Sequence, residues 1–314
     1  MSHGPDDPRA KIKSVTLNGE RVPLADARIS VMAPGLTYAA AVFEGIRAYW
    51  NAEADQLWLF RLDDHIERFV NSMRILRFDD PPSFDAVRRQ VIDDVAANGY
   101  REDVYVRLQA YIDDWGDMTA TGPVGMAIIS RPRPRVAAFE TGRDFGITSW
   151  RRLADNASPP RVKATANYLN GRLAGLDAKA AGYDGAILLT ERGTVSEGPG
   201  GCVFIVRDGL LITPSVTSGI LESVTRDTLI ALARADGLAC VEREIDRTEL
   251  YIADEAFYCG TGQEIVPMLS VDRLPLGDGR PGPITRRLQS LYDDEVRGRA
   301  DGRADWRTAV YETA

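Results

Sequence analysis

The chain has 314 residues, a formal net charge of −8, 44% hydrophobic and 27% charged residues, which fits a globular protein of one large or two ordinary domains. The acidic balance argues against nucleic acid as a partner. Of 38 basic residues only four are lysines (Lys11, Lys13, Lys163, Lys179), and the two histidines are His3 and His65. That shortage excludes a histidine-rich metal centre and leaves a Ser-His-Asp triad resting on His65 alone.

The opening MSHGPDDPRA lacks the apolar core of a secretory signal, and no apolar run approaches the length of a membrane span. Cys202, Cys240 and Cys259 are odd in number and widely spaced, without a CxxC pair. They are expected to be free thiols in the cytoplasm.

Residues 1–10 are polar and are expected to be disordered. Asn18-Gly19 between short apolar runs predicts a hairpin, because both residues tolerate positive φ. Leu57-Trp58-Leu59-Phe60 reads as a strand. From Asp64, the residues Ile66, Phe69, Val70, Met73 and Leu76 recur at helical spacing. Ser83 is placed to cap a second helix, with Phe84, Val87, Val91, Ile92 and Val95 inward and Asn98-Gly99 at its end. Residues 104–108 and 124–129 are rich in strand formers. The run Arg131-Pro132-Arg133-Pro134-Arg135 then interrupts the pattern, since proline removes ladder donors. It predicts an exposed connection over 131–138, between a small N-terminal domain (1–130) and a larger C-terminal one (139–314). That connection reads as a stiff linker or as a positively charged lid.

The second half reads as strand-rich with inserted helices. Strands are expected at 145–150, 186–189, around Val195, at 203–206, 210–212 and 256–259. Helices are expected over 167–181, with Leu169, Leu173, Leu176 and Ala180 spaced for burial, over 224–235, and after Pro283.

Among the lysines, Lys163 stands apart. Small residues surround it in Val162-Lys163-Ala164-Thr165-Ala166, so another group can approach closely. A desolvated lysine is the nucleophile of Schiff-base chemistry, although an isolated lysine in a loop is more often a surface residue. Glu197 lies beside the glycine-rich Gly198-Pro199-Gly200-Gly201 and is suited to holding a protonated ring nitrogen; the same residues also make an ordinary turn. Ser223-Val224-Thr225 opens a helix whose free N–H groups suit a phosphate, or is simply a capped helix start. Gly260-Thr261-Gly262 is a further candidate anion contact.

Five pieces stand in a known order and spacing. They are Val42-Phe43-Glu44-Gly45-Ile46-Arg47-Ala48-Tyr49, Lys163 with Asn167-Tyr168-Leu169, Ser196-Glu197-Gly198, Thr225-Arg226-Asp227 and Gly260-Thr261. On these the chain resembles the class IV, fold-type IV aminotransferases that use pyridoxal 5'-phosphate, and among them the branched-chain amino acid aminotransferases. The resemblance runs over nearly the whole chain.

The resemblance implies a mixed α/β (α+β) fold, with a small N-terminal α/β domain and a larger strand-rich C-terminal domain. It implies pyridoxal 5'-phosphate as cofactor, no metal, and Lys163 as the catalytic lysine that binds the cofactor and moves the proton. Glu197 would pair with the pyridine nitrogen and Tyr168 with the ring's phenolic oxygen. Arg68 would bind the phosphate, through its bidentate fork, together with Val224, Thr225 and Thr261. Tyr38, Phe43, Tyr105, Arg107 and Gly262 would line the substrate pocket.

The implied reaction moves an amino group from a branched-chain or similar hydrophobic L-amino acid to 2-oxoglutarate. The same fold also hosts transaminases of D-amino acids or (R)-amines and an aminodeoxychorismate lyase. A binding protein with a relic pocket is the non-enzymatic alternative. At least a homodimer is implied, without nucleic acid or membrane partners. The chain departs from the family at Ala39, where glycine is usual, at Glu222-Ser223, at Gly262-Gln263 and at 131–135.

Overall fold

The computed structural model describes residues 7–300 and 302–312, and His3 lies outside them. So do residues 1–6 of the expected disordered start; Pro8–Lys11 forms a 3-10 turn whose cap, Asp7, accepts from the Arg9 N–H. The strands are β1 (Val15–Leu17), β2 (Glu20–Val22), β3 (Ala41–Asn51), β4 (Gln56–Phe60), β5 (Val104–Ile112), β6 (Val124–Pro132), β7 (Arg143–Arg151) and β8 (Gly185–Leu189). They continue as β9 (Glu197–Gly198), β10 (Gly201–Arg207), β11 (Leu210–Thr213), β12 (Cys240–Glu242), β13 (Glu255–Gly260), β14 (Glu264–Val271), β15 (Leu274–Pro275) and β16 (Arg307–Ala309). The helices are α1 (Pro34–Thr37), α2 (Leu62–Ile75), α3 (Phe84–Asn98), α4 (Ala138–Thr141), α5 (Tyr168–Ala180), α6 (Val224–Ala235) and α7 (Pro283–Val296).

The chain divides into two units, each discontinuous in sequence. The first holds the chain up to Pro134, returns as Val162–Ala166 and returns again from Asp294. The second holds Arg135–Arg161 and Asn167–Asp293.

The first unit is built on an antiparallel sheet in the order β16-β4-β3-β5-β6-β1-β2. Asn18 and Gly19 turn β1 into β2 with φ of 52° and 83°, as the hairpin signal requires. Period-two alternation sends Val42, Ile46 and Ala48 of β3 and Val104, Val106 and Leu108 of β5 into a core with Ile66, Phe69 and Met73 of α2 and Val87, Val91 and Val95 of α3. The Ser83 hydroxyl caps α3 at the Ala86 N–H, and Gly99 (φ 68°) ends it. The other face of the sheet carries Phe43, Gly45 and Arg47 beside Gln109, Arg107 and Tyr105, which are their register partners.

The arginine-proline run is not the bare connection its composition predicts. Arg131 and Pro132 belong to β6, opposite Tyr105 and Val104, and Pro132 is buried. Pairing with β1 stops at Ile128, so the proline sits on a strand whose edge has opened.

The second unit carries a mixed sheet in the order β12-β11-β10-β13-β14-β7-β8, with β15 on β14 and β9 on β10. The pairs β11/β12, β14/β7 and β7/β8 are parallel and the rest antiparallel. Helix α5 corrects a sequence expectation. Its leucines do not form the buried face: Leu169 is 61% and Leu176 50% exposed. Gly171, Ala174 and Ala178 face inward instead. A Cβ on Gly171 would sit 2.7 Å from the Pro199 carbonyl oxygen, so the helix backbone lies too close for a leucine there. Arg135 ends the arginine run as a structural residue. Its guanidinium reaches Glu264 Oε1 at 2.9 Å and Asp293 Oδ1 at 2.6 Å, and the Glu264 side chain is fully buried.

Cys202 and Cys259 are buried and Cys240 is half-buried, and all three thiols are free. Among the described residues no helix is long and apolar enough to cross a membrane, and no cluster of His, Cys, Asp and Glu is placed to hold a metal ion.

Candidate active site

Lys163 hangs on the sheet of the first unit. β4 pairs only with residues 48–51 of β3, which leaves the start of β3 open on that side. Residues 163–165 fill the opening: Val42 bridges Ala164, the Phe43 N–H donates to the Lys163 carbonyl (3.0 Å), and the Thr165 N–H donates to Ala41 (2.9 Å). Val162 and Ala164 point into the core, so alternation leaves Lys163 on the other side. Its Nζ lies 5.1 Å from the centroid of the Phe43 ring. The Arg107 guanidinium lies 3.4 Å from the same centroid.

Tyr105 lies alongside. A Cβ on Gly45 would come 2.0 Å from the Tyr105 hydroxyl, so glycine is what admits that ring against β3. Arg131 and Arg133 sit 5.7 and 5.0 Å from the Tyr105 centroid, as cations on an aromatic face. Phe43, Tyr105, Arg107 and Lys163 are thus brought together in one unit. Tyr38 is half-exposed at the end of α1, and Ala39 beside it takes φ 54°, the left-handed conformation that glycine adopts without penalty.

Arg68 extends from α2 toward Glu44, whose side chain is wholly buried. Arg68 Nε and Nη2 donate to the two Glu44 oxygens at 2.7 and 2.8 Å, and His65 Nδ1 donates to Oε2 at 2.8 Å. The two donors of the fork expected to clasp a phosphate are therefore held by Glu44. Burial opposes the charge on Glu44, but the Arg68 charge and the His65 hydrogen bond hold its carboxyl far below the usual range. Burial also lowers the His65 imidazole, which keeps it neutral against Glu44.

The second unit carries the other site residues. Glu197 opens β9 and is buried against Arg152, whose Nη2 is 2.6 Å from Oε1. The Leu221 N–H donates to the same oxygen at 3.3 Å, and Cys202 Sγ lies 3.7 Å from Oε2. Burial pushes the Cys202 thiol up, with Glu197 adding to it, so the sulfur stays protonated. The Tyr258 hydroxyl accepts from the Gly200 N–H (2.8 Å). Burial keeps it protonated, with Glu197 and Tyr168 among its electrostatic neighbours. Tyr168 starts α5 half-buried.

Ser223 caps α6 by accepting from the Arg226 N–H, which leaves the N–H groups of Val224 and Thr225 without intrahelical acceptors. The Thr225 hydroxyl meets the Thr261 hydroxyl at 3.3 Å. Two hydroxyls and a helix N-terminus converge there, a donor set suited to a phosphate. Gly262 follows in the turn into β14, which closes with the Gln263 N–H donating to Gly260.

The family model described as amino-transferase class IV matches residues 41–271. The chain is a class IV aminotransferase. This aminotransferase is 38% identical to the probable branched-chain-amino-acid aminotransferase of Aquifex aeolicus, over 94% of this chain and 96% of that one. It superimposes with a TM-score of 0.90 on the branched-chain aminotransferase of Thermoproteus uzoniensis solved with norvaline (40% identity, 95% and 99% coverage). The TM-score is also 0.90 for the branched-chain amino acid aminotransferase of Thermobaculum terrenum in its PLP form (43% identity, 96% and 99% coverage).

Sequence reading of this aminotransferase missed Arg152, Tyr258 and the Glu44–His65 pair behind Arg68. Arg152 carries no signal of its own in a chain so rich in arginine. Glu44 lay within a quoted motif, but only the strand alternation that turns it toward α2 assigns it to Arg68.

Proposed function

We propose that the chain is a pyridoxal-phosphate-dependent transaminase that moves the amino group of a branched-chain or similar hydrophobic L-amino acid to 2-oxoglutarate. The observation that carries the reading is Lys163, suspended from the open edge of β3 with its amine over Phe43. A primary amine on a backbone-fixed strand is both a nucleophile and a proton carrier. The names of the relatives support the substrate class.

The residues fit a phosphorylated pyridine cofactor. The helix start at Val224–Thr225 and the Thr261 hydroxyl would hold its phosphate, with Arg68 adding charge. Glu197, a buried carboxylate kept beside a cation, would hold the proton on the ring nitrogen. Tyr168 would donate to the ring oxygen. The bound cofactor supplies an electron sink for the pair left when the substrate Cα loses its proton. Lys163 Nζ would take that proton from Cα and deliver it across the amino nitrogen to the cofactor carbon bonded to that nitrogen, acting as general base and then acid, so that the nitrogen stays behind when the 2-oxo acid leaves. Phe43, Tyr105, Arg107, Gly262 and Tyr38 would orient the substrate.

The test is a panel of amino donors with 2-oxoglutarate, followed by glutamate formation. L-leucine, L-isoleucine and L-valine are expected to react. Preference for D-alanine or an (R)-amine, or pyruvate release from aminodeoxychorismate alone, overturns the reading.

A homodimer belongs to the same proposal. Ile29, Val31, Met32, Leu36 and Tyr38 expose a run of apolar side chains in the first unit, of the kind that a second copy covers. Light scattering is expected to give twice the chain mass at micromolar concentration, and a monomer mass refutes it. The free thiols suit a reducing cytoplasm.

A further inference from the structure

Arg152 meets the candidate site at Glu197. The Arg152 N–H donates to the Leu189 carbonyl (2.8 Å), which fixes where the side chain starts. The guanidinium then bridges two acceptors: Nη2 reaches Glu197 Oε1 at 2.6 Å, and Nε donates to the Gly219 carbonyl at 3.0 Å. Arg152 and Glu197 side chains are 9% and 5% exposed. The turn that presents the Gly219 carbonyl is built for this. Gly219 takes φ 72°, and a Cβ there would come within 3.4 Å of the Arg152 side chain. The Ser196 hydroxyl, next to Glu197, donates to the Ser218 carbonyl at 2.6 Å and ties the turn to the carboxylate's own strand.

We propose that Arg152 is the positioning residue that keeps Glu197 anionic and oriented for the ring nitrogen. The inference rests on the reading of Glu197 given above. A carboxylate this buried would otherwise raise its own affinity for a proton. A proton shared between such a carboxylate and a ring nitrogen would then shift onto oxygen, and the ring would lose its positive charge. The guanidinium opposes that tendency by setting a positive charge and a hydrogen-bond donor against the carboxylate. Its fork also spans two directions at once, to Glu197 and to Gly219, which a lysine ammonium on a flexible stem does less well. Arg152 also borders an open cavity of about 620 Å³, lined as well by Leu153, Thr190, Ser218 and Gly219.

The test uses Arg152→Lys, Arg152→Met, Glu197→Gln and the double variant Arg152→Met/Glu197→Gln. Four quantities are measured. They are kcat and KM, the dissociation constant of pyridoxal phosphate from fluorescence titration of apoprotein, the pH at which the visible band of the reconstituted enzyme titrates, and the thermal midpoint. Arg152→Met is expected to lower kcat by about 10- to 100-fold, as loss of an outer-shell partner does. KM should stay within about threefold, because the contact is not to substrate. The pH titration of the band should shift, and Arg152→Lys should recover part of kcat. In the Glu197→Gln background, Arg152→Met should change kcat less than about twofold, because its effect passes through the missing carboxylate.

Parental kcat and titration in Arg152→Met, with Glu197→Gln impaired, overturn the proposal alone. Full kcat in Glu197→Gln overturns the reading of Glu197 beneath it. Losses that multiply in the double variant make Arg152 a structural residue, which also overturns the proposal. If Arg152→Met does not fold, Arg152→Lys in the same cycle decides: parental kcat and titration count against the positioning role.

Discussion

Lys163→Ala should leave a folded protein with at least about 10⁴-fold lower turnover, because it removes both nucleophile and proton carrier. The strand it sits on is held by backbone hydrogen bonds to Ala41 and Phe43 and by its own N–H on Ser72 Oγ (3.2 Å), none of which needs the amine. Half-buried and truncated at Cβ, the variant should change stability by less than about 1 kcal/mol. Lys163→Arg replaces the amine with a guanidinium, which is no nucleophile, so it should not restore turnover. Glutamate formation from L-leucine and 2-oxoglutarate is the assay. Turnover within about tenfold of the parent removes Lys163 from the mechanism, since a lost nucleophile cannot cost so little.

The second large effect falls on stability. Glu44→Gln should cost about 3–5 kcal/mol, because breaking a buried ion pair leaves the remaining charge without its counterion. For a chain of this size that is a fall of roughly 10 °C in thermal midpoint. The carboxylate is fully buried and meets Arg68 twice and His65 once, and the Arg68 side chain is only 11% exposed.

The pH dependence follows from the depressed native value. The Glu44 contribution is present in full above the unfolded carboxyl's value of about 4.3, and is lost only as pH falls through the lower native one. Parent and variant should therefore differ by a constant amount between about pH 5 and 8, and converge only in strong acid. His65 adds a separate limb that parent and variant share. Its buried imidazole resists a proton that the unfolded chain accepts, so stability should decline as pH falls below about 6.5. Midpoints measured across that range check both statements. A gap between parent and variant that closes near neutral pH contradicts the first.

Local signals in the sequence were legible where one residue decides the backbone. Asn18-Gly19, Ser83 with Gly99, and Ser223 ahead of Val224–Ala235 each mark a turn or helix end that the structure contains. Period alone did worse on α5. The leucines have helical spacing, but Gly171, Ala174 and Ala178 allow a closer approach, and close approach decided which face went inward. Pro132 was misread because its tolerance depends on where β1 stops, which is a property of the partner strand. For the candidate site, Lys163, Glu197, Thr225 and Thr261 are proposed from family motifs. Arg152 and Glu44 could not be assigned, because their roles come from sheet register and from a turn closed by residues more than sixty positions downstream.

The lysine-bearing segment and β16 both belong to the first unit, yet they lie far along the chain from its other strands. A ribosome releasing this polypeptide has finished β1 through β6 long before residues 162–166 emerge, and the partner that closes the sheet beyond β4 comes only with Arg307–Ala309. At about 5–20 residues per second, the N-terminal sheet waits on the order of ten seconds or more for its last edge. Completion of the sheet beyond β4 therefore comes late in synthesis, and a nascent chain halted before residue 307 would carry Lys163 on a sheet whose β4 edge is still unpaired.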